Sequence, residues 1–324
     1  MPYLLGKRRG LMQCATARGR FVVLALDHRQ NLRKELRPDA PDTVATAEMV
    51  DFKLSVVRAL ADTTSGILLD PEVGVGQALA AGAIPGATGL IVAVEATGYE
   101  GPANARTSRI LPGWSVSAAK RIGASAIKLL VYYHPEAATA DAQERLVADV
   151  AAECFREDIP LFLEPLSYAL DGGKLAGDER RRVVVETARR LTASGADVLK
   201  AEFPYDAGVT DEARWREACI ELDEATSIPW VLLSGGVDDA TFEAQVAAAG
   251  DAGASGALVG RSVWSDAATR SEPERTATLR SAGRARMARL ATIIEDHGRP
   301  WEPRWEAALS PETPGDGWYE RPAP

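Results

Sequence analysis

Two lysines interrupt stretches that are otherwise apolar: Lys128 in Ala-Ile-Lys-Leu-Leu-Val-Tyr-Tyr (126–133) and Lys200 in Val-Leu-Lys-Ala-Glu-Phe (198–203). Lysine is seldom buried without a partner. Burial penalises its charged form, and a second cation nearby acts in the same direction. A lysine brought to the free amine in this way attacks a ketone and forms an imine. The competing structural role is a lysine held in the core by a carboxylate, for packing alone. Two such lysines with Glu164 between them, in Leu-Phe-Leu-Glu-Pro-Leu (161–166), favour chemistry. A carboxylate in a partly apolar pocket has a raised pKa and shuttles protons; the alternative for Glu164 is an ion-pair partner that only holds Lys128 or Lys200. Asp27 closes another apolar run, where it would position a substrate or cap the helix that follows.

These residues need elements to hold them. Eight short apolar runs recur, each after a turn signal: Val22–Asp27, Gly66–Asp70, Leu90–Glu95, Ala126–Tyr133, Pro160–Leu166, Asp197–Phe203, Pro229–Gly235 and Ala257–Trp264. They show little polar alternation, as strands buried on both faces do. Helical stripes lie between them: Val50, Leu54, Val57 and Ala61; Leu146, Val150 and Cys154; Val184, Ala188 and Leu191; and Leu279, Met287, Leu290 and Ile294 in a segment from about Glu274 to His297. Gly123-Ala124 and Gly195-Ala196 supply the left-handed ends of helices before the next strand. The second unit leaves room only for a short helix near Gly76–Ala83. Strand and helix alternating eight times predict an α/β fold, a single-domain (β/α)8 TIM barrel over residues 1–299 with a Pro- and Trp-rich C-terminal tail, 300–324, lying over the barrel or a neighbouring subunit. A doubly wound sheet is the rival, but Asp27-His28-Arg29 stands where a GxGxxG loop would follow the first strand.

Active sites of such barrels lie at the carboxyl ends of the strands. The polar residues there are Asp27, Asp70, Glu95, Lys128, Glu164, Lys200 with Glu202, Ser234 and Arg261. The loops after strands seven and eight form the usual phosphate site of this fold. Here they read Ser234-Gly235-Gly236-Val237 and Gly260-Arg261-Ser262. The glycines let backbone N–H groups approach an anion, and Arg261 supplies a charged fork. His28 and Arg29, beside Asp27, join this substrate-binding set.

Composition narrows the partners. The net charge is −9 with 46% apolar residues, so no basic face points to nucleic acid. No apolar run is long enough for a signal peptide or a membrane span. Three widely separated cysteines, Cys14, Cys154 and Cys219, suit reduced, buried thiols in a cytoplasm. The three histidines show no HxH or HExxH spacing, so a metal-dependent reaction resting on histidine ligands is not expected.

The motifs Leu-Ala-Leu-Asp-His-Arg (24–29), Ala-Ile-Lys-Leu-Leu-Val-Tyr-Tyr (126–133), Phe-Leu-Glu-Pro-Leu (162–166), Asp-Val-Leu-Lys-Ala-Glu-Phe-Pro (197–204), Ser-Gly-Gly-Val and Gly-Arg-Ser-Val-Trp occur in order from about Phe21 to Trp264. This ordered set resembles the tagatose-1,6-bisphosphate aldolases, a group that includes the sulfofructose-phosphate aldolases. The resemblance implies that Lys200 is the Schiff-base lysine, Lys128 the second active-site lysine, Glu164 the proton-transfer carboxylate and Asp27 the aspartate at the substrate. It implies that Ser234, Gly235 and Arg261 hold the phosphate or sulfonate. It also implies a lyase that splits a phosphorylated ketose into dihydroxyacetone phosphate and an aldehyde through an imine, with no metal and no cofactor. A sugar phosphate would be the small-molecule partner, and, with the Trp-rich tail, the resemblance suggests a homo-oligomer. The family often carries Gln where this chain has His28, which bears on sugar specificity rather than on imine chemistry. The other readings are cleavage of a sulfosugar phosphate, and a metabolite-sensing regulator that keeps the pocket without turnover.

Overall fold

The computed structural model describes residues 3–320. Eight parallel strands close into a barrel in sequence order. They are β1 (Phe21–Leu26), β2 (Gly66–Leu69), β3 (Gly89–Ala93), β4 (Ala126–Tyr133), β5 (Leu161–Ser167), β6 (Val198–Ala201), β7 (Trp230–Leu233) and β8 (Gly256–Val259). The eighth apolar run is shorter as a strand than the sequence suggests. It stops at Val259, and Arg261–Trp264 forms a helical turn instead.

Side-chain alternation divides every strand between two cores. One parity points outward under the helices, for example Val22, Leu24, Ile67, Leu129 and Leu163. The other fills the barrel with Phe21, Val23, Ala25, Leu68, Ile91, Ala93, Ala126, Phe162, Val198, Val231 and Leu258. Asp27, Glu95, Lys128, Glu164 and Lys200 continue that inner parity toward the strands' carboxyl ends. The register runs Lys128–Phe162–Val198. The stagger that closes an eight-stranded barrel raises the level by about one residue per strand, so Lys200 stands at the height of Lys128.

The helices between strands follow the predicted stripes with two adjustments. In Thr46–Leu60 the buried face is Met49, Phe52, Val56, Leu60 and the predicted Val57, with the predicted Val50 and Leu54 at its edge. The last long helix is broken: Glu272–Thr278 passes through a wide turn at Leu279–Gly283 into Arg284–His297. The short helix of the second unit is Val75–Ala80. Gly123 and Gly195 take φ of 92° and 98°, the left-handed region in which a side chain would be strained.

The amino ends of the strands are plugged by two segments. One is a helix the periodicity does not reveal, Leu5–Cys14. It approaches the barrel so closely that a Cβ on Gly10 would lie 2.1 Å from the Ser125 carbonyl oxygen. The other is the tail from Pro300. It does not drape over the outside, because Trp301 and Trp305 of the helix Glu302–Leu309 region are wholly buried beneath Phe21. The last part of the predicted tail, 321–324, lies outside the described residues. Asp197 ties the plug to β6: its carboxylate accepts from Lys7 Nζ (2.7 Å), Trp305 Nε1 (3.1 Å) and the Leu161 amide (2.9 Å). The three cysteines are free and buried, as expected. Among the described residues no helix is long and apolar enough to cross a membrane.

Candidate active site

The open end of the barrel holds a cavity of about 380 Å³, within the range that encloses small metabolites. Its wall includes Asp27, His28, Arg29, Glu95, Lys128, Tyr132, Glu164, Lys200, Glu202, Ser234, Gly235 and Arg261. A larger depression of about 760 Å³ lies on the outer surface around Gly177–Thr192. Its arginines are already paired with glutamates, as Arg181 with Glu221 and Arg182 with Glu136, and it is remote from the strand ends.

The two lysines occupy different environments. Lys128 is surrounded by three carboxylates: Asp27 Oδ2 at 2.7 Å, Glu95 Oε1 at 2.7 Å and Glu164 Oε2 at 2.9 Å. Of the three N–H donors of an ammonium, two are engaged in hydrogen bonds to Asp27 and Glu95, and Glu164 completes the ion cluster. Burial works against its charge, but Asp27, Glu164 and Glu95 outweigh burial and hold Lys128 well above the ordinary lysine range. Lys200 has a single ion partner among the described residues, Glu164 Oε1 at 2.7 Å, and its remaining directions are open to the cavity. Glu164 therefore bridges the two lysines, one oxygen to each.

This geometry revises two expectations. Burial raises the Glu164 pKa, but Lys128 and then Lys200 more than offset it and hold the carboxyl below the usual glutamate range. Glu164 is a carboxylate at neutral pH, not the raised acid expected from the sequence. The two lysines also do not face each other as bare cations, since the carboxylates offset the charge of Lys128. A proton passed from Lys200 to Glu164 along their 2.7 Å contact is the direct route to a free amine.

Asp27 sits at the cavity wall as predicted. Burial raises its pKa, and Lys128, Lys200 and His28 together bring it well below the usual range. His28 is a neutral imidazole: burial, reinforced by Lys200, Arg261 and Lys53 against Asp27, pushes it down to about 4. Its ring stands edge-on to Trp264, with centroids 5.2 Å apart, and its Nδ1 has no hydrogen-bond partner. Arg29 lines the same cavity, but its guanidinium is committed away from the anion loops, to Glu72 Oε2 (2.8 Å) and the Glu95 carbonyl (2.9 Å).

At the ends of β7 and β8, Ser234 Oγ accepts from the Gly260 amide at 3.2 Å. Gly236, at φ 80°, leaves room beside the Arg261 guanidinium, where a Cβ would come to 3.3 Å. Arg261 is about a third exposed and only loosely paired, with Glu35 at 3.6 Å. Ser234, Gly235 and Arg261 thus form one corner of the cavity, with Gly236 beside Arg261 and Gly260 bonded to Ser234.

Sequence reasoning placed Glu95 among the polar strand ends but gave it no part. The structure makes it the third carboxylate on Lys128, raised by burial against the pull of Lys128 and Arg29. The signal was present: a glutamate ending an apolar strand at inner parity. Asp70, from the same set, does not enter the cavity. It pairs with buried Lys53 and accepts from the Glu72 and Val73 amides. Among the described residues no group of three His, Cys, Asp or Glu side chains has the arrangement of a metal site.

Comparison with known proteins places the chain in a family context. Residues 21–266 match the family described as DeoC/LacD family aldolase. The tagatose 1,6-diphosphate aldolase 1 of Enterococcus faecalis is 33% identical over 280 residues, covering 80% of this chain and 84% of that protein. The tagatose 1,6-diphosphate aldolase of Lactococcus lactis subsp. lactis is 32% identical over 320 residues, covering 91% and 97%. Among solved structures, an archaeal fructose 1,6-bisphosphate aldolase superposes with a TM-score of 0.59 at 22% identity, covering 89% of this chain and 98% of its own, a likeness of fold.

Proposed function

The chain belongs to the DeoC/LacD aldolase family, and on that premise we propose that it is a class I aldolase, cleaving a ketohexose 1,6-bisphosphate of the tagatose type through an imine on Lys200. The observation that carries this reading is the inequality of the two lysines. Lys128 is ion-paired with three carboxylates and hydrogen-bonded to two of them, Asp27 and Glu95, whereas Lys200 meets one carboxylate oxygen and lines the cavity.

Lys200 passes its proton to Glu164, and the free amine attacks the C2 ketone. The carbinolamine takes a proton from Glu164 at its C2 oxygen, loses water and becomes a protonated imine. Glu164, a carboxylate again, removes the C4 hydroxyl proton. The C3–C4 electrons flow into the iminium, the aldehyde departs and an enamine of dihydroxyacetone phosphate remains. Glu164 returns its proton to C3, and water releases the ketone and Lys200. One carboxylate thus carries one proton back and forth, a role suited to its contact with both lysines. Lys128 remains a fixed cation that holds Asp27, Glu95 and Glu164 in place, and Asp27 orients a substrate hydroxyl. Arg261 with the amides around Gly235 and Gly260 binds the C1 phosphate. The iminium serves as the electron sink, so the bond cleavage is written without a metal.

Incubation with tagatose 1,6-bisphosphate should release dihydroxyacetone phosphate and glyceraldehyde 3-phosphate in equal amounts, read by coupled reduction of the first product. No cleavage of any ketohexose bisphosphate would count against the proposal.

A further inference from the structure

A second cationic feature stands beside the cavity, next to its wall residue Tyr132 and at the side opposite the β7–β8 corner. In a closed barrel of eight strands the exits of β3 and β4 face those of β7 and β8. The connection from β3 to β4 rises there as a small hairpin. Its arms pair through antiparallel bridges Glu95↔Ile110 and Glu100↔Thr107, with Ala96 N to Arg109 O at 2.9 Å and Glu100 N to Thr107 O at 2.8 Å. Arg106 sits on the returning arm.

The Arg106 guanidinium is caged by three tyrosines: 4.6 Å from the Tyr99 and Tyr168 ring centroids and 5.7 Å from that of Tyr132. The position is fixed further by the Arg106 backbone amide donating to Tyr168 Oη at 3.3 Å and by Arg106 Nε donating to the Ala103 carbonyl at 2.9 Å. Tyr132 belongs to the cavity wall, on the same inner face of β4 as Lys128. Among the described residues no carboxylate pairs with Arg106, whereas its neighbour Arg109 pairs with Glu100 at 2.6 Å. Aromatic faces hold a guanidinium without neutralising it, which leaves its outer N–H groups able to grip an oxyanion in a fork.

The charge of the cavity gives this a purpose. Asp27, Glu95, Glu164 and Glu202 all line it, so an extended substrate anionic at both ends needs a cation at each. Arg261 serves one end. We propose that Arg106, in its tyrosine cage, recognises the terminal oxyanion at the other end of the substrate, a phosphate or a sulfonate on the aldehyde half, and so sets the preference for doubly anionic ketoses. This inference rests on the aldolase reading above.

The test runs the reaction in the condensation direction, with dihydroxyacetone phosphate as the common donor. The acceptors are glyceraldehyde 3-phosphate, its sulfonate analogue and uncharged glyceraldehyde. Arg106→Ala should lower kcat/KM by roughly 10- to 100-fold for an anionic acceptor, the worth of one or two charge-assisted hydrogen bonds. For glyceraldehyde the value should stay within about twofold of wild type, on the same reasoning. Arg106→Lys should recover part of the loss. Each variant is first shown to trap dihydroxyacetone phosphate under borohydride as wild type does, which establishes that the barrel is intact. Selective loss with either anion supports the inference and identifies the terminal group as phosphate, sulfonate or both. An equal loss with all three acceptors, or none with either anion, overturns it while leaving the aldolase reading in place. Failure of wild type itself to trap the donor removes the aldolase reading and this inference together.

Discussion

Lys200→Met should retain the barrel and lose cleavage by on the order of 10⁴-fold or more, the scale seen when a covalent nucleophile is removed. Methionine has nearly the length and bulk of lysine but no amine, so imine formation ends while the packing of β6 is largely kept. The cost to the fold is limited by the carboxylate network. Glu164 loses its partner at Oε1 but keeps Lys128 at 2.9 Å from Oε2. The alternative, that Lys200 only neutralises Glu164, makes the opposite forecast: lower stability and turnover within about an order of magnitude of wild type. Steady-state cleavage assays together with a urea unfolding curve separate the two outcomes.

Glu164→Gln should be the second most damaging change. Glutamine keeps the shape and some hydrogen bonds but cannot move a proton. Loss of a positioned acid–base group costs about 10²- to 10⁴-fold in rate. The loss should fall on kcat rather than KM, because the β7–β8 corner proposed to bind the C1 phosphate is untouched. Glu164 is held below the usual glutamate range by Lys128 and Lys200 acting against burial, so at neutral pH the wild-type group begins as the base that the first step requires. A variant with near-normal kcat but a large rise in KM would show that Glu164 positions the lysines without carrying protons.

The barrel and the inner cluster were legible for one physical reason. A charged residue inside a run of Val, Leu and Ile has nowhere to go but an interior polar site or a strand end. Lys128, Glu164 and Lys200 announced themselves in this way, and the parity of β4 and β6 brought them level. What the sequence could not show was who pairs with whom. Glu95 stood among the strand-end residues, yet its claim on Lys128 depends on how far a lysine side chain reaches toward β3. The expected protonation of Glu164 is reversed by its contacts with both Lys128 and Lys200, and the carboxylates around Lys128 change the expected way in which it acts on Lys200. The tyrosine cage was hidden more deeply. Tyr99, Arg106, Tyr132 and Tyr168 come from three separate stretches of chain and meet only through loop geometry. The plug helix Leu5–Cys14 was missed because Lys7, Arg8 and Arg9 break any apolar stripe. Its docking relies instead on the bare face of Gly6 and Gly10 and on the pair Lys7–Asp197. The tail, expected over the barrel or a neighbouring subunit, packs Trp301 and Trp305 against the floor of the barrel itself.

The central claim is that Lys200, and not Lys128, forms the covalent intermediate. The most direct measurement is borohydride reduction of the protein in the presence of dihydroxyacetone phosphate, followed by mass analysis of its peptides. One reduced substrate unit should appear on the peptide carrying Lys200, and none should form in Lys200→Met. An adduct on Lys128 instead, or no adduct on the wild-type protein, would contradict the assignment, and the second result would favour a protein that binds the sugar phosphate without turning it over.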